Sequence, residues 1–174
     1  MSTQPLTLAA VNRMDADAFV ESFGDIAEHS PWVAKVAERA RPYLDRTAMV
    51  TAFVEAVADA GVDRQLALLR EHPDLAGRAA IAGELAPESR NEQAGAGLDR
   101  MSAEEYARFS KLNAAYRDRH GIPFILAVKG ATKDQVLDAF EARLENSADA
   151  ELQTAVTQVQ RIIRFRLEDR VSVE

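Results

Sequence analysis

The sequence predicts an all-α fold: a single-domain bundle of about eight to nine helices over residues 1–174, with one short extended segment near 122–128. Three observations predict it. Apolar residues recur at three- and four-residue spacing from one end of the chain to the other, the period of a helix with one buried stripe. Helix-start signals stand in front of most of those stripes. Alanine supplies much of the 47% hydrophobic content while aromatics reach only 6%, a mix suited to closely packed helices and poorly suited to a β-sandwich. At 174 residues one compact domain is the default expectation, and no repeat, low-complexity run or linker divides the chain.

Taken in order, Asn12-Arg13-Met14-Asp15 opens a first helix to about Ala27, with Phe19, Val20, Phe23, Ile26 and Ala27 at helical spacing. Ser30-Pro31 reads as an N-cap with proline at the first helical position, leading into Trp32, Val33 and Val36. A longer helix runs from about Thr47 to Ala60, turning Met49 or Val50, Phe53, Val54 and Val57 inward, and Gly61 is its expected stop. The next, Val62 to Glu71, carries Leu66, Leu68 and Leu69 and is interrupted at His72-Pro73, because proline biases the residue before it away from helical geometry. Asp74 to Leu85 is expected to be helical despite Gly77 and Gly83. Ser102-Ala103-Glu104-Glu105 is a capping box for a helix bearing Tyr106, Phe109, Leu112 and Tyr116 and ending near Gly121. Ile122 to Val128 is the only β-like apolar run. Thr132-Lys133-Asp134-Gln135 caps a helix to about Asn146, and a last helix covers roughly Ala148 to Arg170.

Composition excludes several functions. A net charge of −7 leaves no basic face for phosphate contacts, so a nucleic-acid partner is not expected. It leaves room for a small anionic substrate wherever single arginines overcome the global field. With no cysteine there is no disulfide framework and no thiolate chemistry. No two of the three histidines fall at metal-ligand spacing and no glycine-rich phosphate loop follows a strand, so neither a metal nor a nucleotide cofactor is expected. The N-terminus lacks signal-peptide character, no apolar stretch reaches membrane-spanning length, and the closing Val171-Ser172-Val173-Glu174 is not a peroxisomal address. A bacterial-type cytoplasmic protein is the expectation.

With so few histidines, neutral-pH proton chemistry falls on a small set of side chains. His72, at a break between helices and followed by Pro73, suits projection into a cleft; it equally suits a helix-end histidine bonded to a spare carbonyl. Ser89-Arg90-Asn91-Glu92-Gln93 brings a carboxylate able to orient the imidazole, a hydroxyl, and an amide that both donates and accepts. Ser89 with Glu92 is also a capping box in its own right, and its helix N-terminus would suit an anion. Gly95 and Gly97 lower helix propensity just after it and suit close approach of a neighbour. Phe124-Ile125-Leu126-Ala127-Val128 reads either as plain core or as extended backbone whose N–H and C=O groups, lacking helix partners, can grip a planar heterocycle. Arg166 stands beside the apolar Val159, Ile162 and Ile163, where a snorkelling arginine is common; Arg164 is the less favoured alternative in that turn. His29 and His120 read as caps.

His72-Pro73-Asp74-Leu75-Ala76-Gly77, Ser89-Arg90-Asn91-Glu92-Gln93, Gly121-Ile122-Pro123-Phe124-Ile125-Leu126-Ala127-Val128-Lys129-Gly130 and Arg164-Phe165-Arg166-Leu167, in this order, resemble one family. It is that of the decarboxylases of 2-oxo-4-hydroxy-4-carboxy-5-ureidoimidazoline (OHCU), which complete urate degradation to (S)-allantoin. The resemblance implies a cofactor-independent carboxy-lyase and a homodimer. It implies His72 as proton donor with Glu92 beside it. It places Pro73, Ser89, Arg90, Asn91, Gln93, Phe124, Ile125, Leu126, Ala127 and Val128 against substrate and makes Arg166 the carboxylate-binding arginine. Where some relatives carry an aromatic before the Gly-x-Pro-Phe run, this chain has His120. The competing expectations are a non-catalytic helical interaction module, in which these motifs serve as caps and turns, and a divergent decarboxylase of a related ureido or imidazolone acid.

Overall fold

The computed structural model describes residues 4–76 and 85–173. Among these residues it is all-α, with nine α-helices and no strand. They are α1 (Leu8–Arg13), α2 (Ala16–Phe23), α3 (Trp32–Ala37), α4 (Arg46–Ala58), α5 (Val62–Arg70), α6 (Pro87–Gly95), α7 (Ala103–His120), α8 (Lys133–Leu144) and α9 (Ala148–Arg170), with a 3-10 turn at Glu38–Ala40. The chain forms two compact units, Met1–Glu71 with Val159–Glu174, and His72–Gln158. Helix α9 runs through the division.

In the first unit the expected helix from Asn12 to Ala27 is two helices. Met14 is extended, and the Asp15 carboxylate accepts from the Ala18 amide at 2.8 Å, so a side-chain cap starts α2 where the apolar pattern alone continues. Helix α2 ends at Phe23, leaving Ile26 and Ala27 buried in the following turn. Ser30 does not cap α3 through its side chain. The N-cap position is Pro31, without a side-chain bond, and Ser30 contributes its backbone carbonyl to the Val33 amide at 3.2 Å. Gly61 does not stop α4, which closes at Asp59; with φ of 84° it is the entry residue of α5. The core holds Met49, Val57 and a cluster of Phe19, Phe23 and Phe53 with ring centroids 5.0–6.4 Å apart. Leu6 pairs with Val171 in a single parallel bridge that ties the residues before α1 to the end of α9.

In the second unit the capping boxes behave as read. Ser102 with Glu105 starts α7, Thr132 with Gln135 starts α8, and Gly121 closes α7 in the left-handed region at φ of 68°. The expected helix from Asp74 to Leu85 falls mostly outside the described residues, which exclude 77–84 and so Gly77 and Gly83; at its edges Leu75–Ala76 form a turn and Leu85 a bend. Ser89-x-x-Glu92 is not a capping box. Proline at the first helical position starts α6 at Pro87, with Ala86 as N-cap, and this puts Ser89 and Glu92 inside the helix. Among the described residues a Cβ on Gly95 would meet nothing within 4 Å, so none of them approaches Gly95 closely. Gly97 takes a left-handed φ of 79° just after α6, and the Lys133 side chain of α8 comes within 3.5 Å of where its Cβ would stand. Residues 122–128 form an irregular buried segment whose Phe124 ring stacks on Phe140 at 3.8 Å, with Tyr116 edge-on to both.

Candidate active site

His72 follows the C-cap of α5 and begins the second unit. It is only 6% exposed and its Nε2 is buried. Three side chains hold the loop that carries it. The Asn113 amide donates from Nδ2 to the Leu75 carbonyl at 2.9 Å, and Gln93 Oε1 accepts from the Ala76 amide at 3.0 Å. Arg117 grips the Asp74 carboxylate from Nε at 3.1 Å and Nη2 at 2.9 Å. Ala76 sits at φ of 53°, a conformation that a residue with a Cβ adopts only when its surroundings impose it. The Gln93 bond to its N–H is one such constraint. Loop position is therefore set by buried amides, with the half-exposed Arg117 pair adding little.

Helix α6 sorts its predicted site residues by angle. Ser89, Glu92 and Gln93, at i, i+3 and i+4, share a face on which Ser89 and Gln93 are buried and Glu92 is half-buried. Arg90 and Asn91 lie off that face and are exposed. Arg90 reaches the Leu85 carbonyl at 3.3 Å and borders, with Gln93, Leu98, Met101 and Tyr106, a cavity of about 330 Å3.

The 122–128 segment departs from the expectation of open backbone groups. The Ile125 carbonyl accepts from Arg143 Nη1 at 2.5 Å, the Ala127 amide donates to Gln158 Oε1 at 3.0 Å, and the Val128 carbonyl takes the Ala131 amide at 2.9 Å. Arg143 is anchored by Glu151, a fully buried carboxylate that it meets through Nε at 3.2 Å and Nη2 at 3.0 Å. The same carboxylate takes the Tyr116 hydroxyl and the Asn146 amide. Burial pushes the Glu151 carboxyl upward, but the hydrogen bonds from Arg143, Tyr116 and Asn146 outweigh it and hold its pKa below the usual carboxylate range. Tyr116 is raised well above an ordinary phenol, first by burial and then by its bond to Glu151.

Arg166 lies in the first unit. It is not a snorkelling surface residue: at 4% exposure it donates to Glu28 at 2.9 Å and to the Ile26 carbonyl at 3.3 Å. Arg164, by contrast, is exposed and pairs with Glu168. His29 is exposed. His120 does not cap α7, since the Gly121 amide closes that helix; its ring packs on Tyr116 at 4.6 Å, and neither buried ring nitrogen has a hydrogen-bond partner among the described residues. Among the described residues no group of three or more His, Cys, Asp or Glu could hold a metal, and no helix is long and apolar enough to cross a membrane.

Sequence reasoning passed over Asn113, Arg143, Glu151 and Gln158. A signal existed for the first three. Asn113 falls between Phe109 and Tyr116 on the inward stripe of α7, Arg143 follows Val136, Leu137 and Phe140 on α8, and Glu151 precedes Ala155 and Val159 on α9. A polar residue on an apolar stripe must find a partner or lose its hydration uncompensated. Gln158 carries no such mark.

A family model described as OHCU decarboxylase matches residues 12–168. The chain is 44% identical over 169 residues to a Haloferax volcanii protein named 2-oxo-4-hydroxy-4-carboxy-5-ureidoimidazoline decarboxylase, covering 97% of this chain and 98% of that one. A crystal structure of (S)-allantoin synthase is similar at a TM-score of 0.78 and 29% identity, covering 97% of this chain, which spans about half (54%) of that one. A crystal structure of OHCU decarboxylase in the presence of (S)-allantoin shares the fold at a TM-score of 0.69 and 20% identity, covering 88% of this chain and 96% of that one.

Proposed function

The chain belongs to the OHCU decarboxylase family, and on that premise we propose that it removes CO₂ from OHCU to give (S)-allantoin without a cofactor. The observation that carries the reading to particular residues is the His72 loop. A buried histidine, on a turn held by the Asn113 and Gln93 amides, belongs to the same compact unit as the Ser89–Glu92–Gln93 face and the 124–128 segment.

In the reaction the bond between the ring carbon and the carboxylate breaks, CO₂ leaves, and the electron pair enters the conjugated ring. One proton is taken up overall: the neighbouring ureido-bearing carbon gains the hydrogen, and the carbon that lost the carboxylate gives up its hydroxyl proton to become the carbonyl of (S)-allantoin. Because the ring accepts the pair, the protein has only to orient the substrate, favour the developing charge and supply the proton. His72 is the proton donor, and Glu92 orients and polarises its imidazole. Ser89, the Gln93 amide and those backbone groups of Phe124 to Val128 that are not bonded to Arg143, Gln158 or Ala131 take the ring and ureido edges. Gln93 Oε1 is already engaged by Ala76, which leaves its NH₂ as the group for a ligand carbonyl. Pro73 shapes the loop behind the imidazole, while Arg90 and Asn91 are exposed and serve at most the rim. Arg166 is assigned the anchoring of an anionic oxygen on the family resemblance alone; its guanidinium also serves Glu28 and the Ile26 carbonyl. The resemblance also supports a homodimer, and a chain without cysteine suits a reducing cytoplasm.

The test is a coupled assay. Urate is converted by uricase and hydroxyisourate hydrolase, and circular dichroism follows chiral allantoin with and without this protein. Accelerated appearance of the (S) enantiomer is the expected result. Spontaneous, racemic formation at an unchanged rate would overturn the reading.

A further inference from the structure

The buried set around Arg143 is not part of the chemistry above, and stability alone does not explain it. A buried ion pair seldom outperforms a well-packed apolar pair, because desolvation offsets most of the attraction. Here the pair is used instead as a bracket. Glu151 occupies Nε and Nη2 of Arg143, which fixes the plane of the guanidinium. The remaining Nη1 takes the Ile125 carbonyl, and the guanidinium carbon lies 4.4 Å from the centroid of the Phe124 ring. Two turns further along α9 from Glu151, Gln158 takes the Ala127 amide at 3.0 Å.

The peptide bonds on both sides of Leu126 are trans, and in a planar trans peptide the carbonyl of one residue and the N–H of the next point in opposite directions. Anchoring Ile125 and Ala127 on one side therefore directs the N–H and C=O of Leu126 to the opposite side. Leu126 is also the only residue of Phe124–Val128 that is not buried. We infer that Arg143, braced by Glu151, and Gln158 are positioning residues that fix the 124–128 segment so that Leu126 presents one backbone donor and one backbone acceptor to the amide or ureido edge of the ligand. This rests on the reading of 124–128 as substrate-binding backbone.

Two variants test it: Gln158→Leu, and the double replacement Arg143→Met with Glu151→Leu, which removes both buried charges together. Both are assayed for OHCU turnover and, separately, for (S)-allantoin binding by calorimetry. The expected result is a KM for OHCU and a Kd for (S)-allantoin each raised about tenfold or more, equivalent to about 1.4 kcal/mol, with kcat changed less than about threefold and an unaltered pH profile, since His72 and Glu92 are untouched. A merely structural role would lower the amount of folded enzyme and leave KM and Kd alone. Folded variants with wild-type KM and Kd would overturn the inference. If the double variant does not fold, Gln158→Leu decides by the same criteria. Failure of the underlying reading looks different: wild-type protein would then neither turn over OHCU nor bind (S)-allantoin.

Discussion

Replacing Asn113 by leucine separates the anchoring of the His72 loop from its chemistry. Asn113 is 7% exposed, its Nδ2 satisfies the Leu75 carbonyl at 2.9 Å, and its Oδ1 is buried without a hydrogen-bond partner among the described residues. Leucine has similar volume, so cavity formation contributes little. Two effects oppose each other. Losing the unpartnered Oδ1 removes a desolvated acceptor, while leaving the Leu75 carbonyl unmet costs about 1–3 kcal/mol. The net expectation is a loss of about 1–2 kcal/mol, which for a chain of this size lowers Tm by roughly 2–8 °C. Turnover should fall by about tenfold or more at a temperature where the protein is fully folded, because a displacement of the order of an ångström at a reacting group is enough for such losses. Asn113→Asp should be worse on both counts, since it sets an acceptor against the carbonyl that needs a donor. Thermal melts followed by circular dichroism and OHCU turnover at 20 °C give both quantities. An Asn113→Leu protein with unchanged Tm and full turnover, or one less stable than Asn113→Asp, would refute the anchoring role.

Other outcomes follow from the same geometry. Glu92 lies within α6 and not in a capping box, so Glu92→Gln should melt like the wild type and lose about 10²-fold or more in turnover; full activity would show that its charge is dispensable. Glu151 is held below the ordinary carboxylate range. It therefore contributes stability at pH values above about 4.3, the unfolded value, and that contribution disappears as pH falls through the lower folded-state pKa. Melts from pH 7 down to pH 3 should show a steep acid limb in the wild type and a shallower one in the Arg143→Met, Glu151→Leu protein; parallel limbs would contradict the assignment. Turnover should survive exhaustive chelation, and a loss reversed by a divalent ion would require a metal in the mechanism.

How much of this was legible in the sequence depended on whether the deciding interaction was local. Ser102 with Glu105, Thr132 with Gln135, and Gly121 mark helix ends through contacts within four residues, and both capping boxes and the αL stop form as read. The span of α9 was also read correctly. Ser89-x-x-Glu92 satisfied the same pattern without capping anything, because Pro87 two residues earlier is itself a favoured helix start. Asp15 reads as part of a start signal for one long helix, but its side-chain bond to Ala18 divides that helix in two. Within the candidate site, His72 and the Ser89–Glu92–Gln93 face stood out through residue type and family pattern. Their supports did not. Asn113 acts on a carbonyl 38 residues away and Gln158 on an amide 31 residues away, and nothing in local spacing encodes either partner. The pairing of Arg166 with Glu28 spans 138 residues, and the sequence hinted only that Arg166 stood on an apolar stripe.

The most direct measurement is OHCU turnover by His72→Ala, with (S)-allantoin binding as the control for an intact site. Loss of the proton donor should cut kcat by about 10²-fold or more while the melting profile and the Kd for (S)-allantoin stay close to those of the wild type. Near-normal turnover in a folded His72→Ala protein would contradict the account, because it would place proton delivery on another group and return His72 to the role of a helix-end histidine.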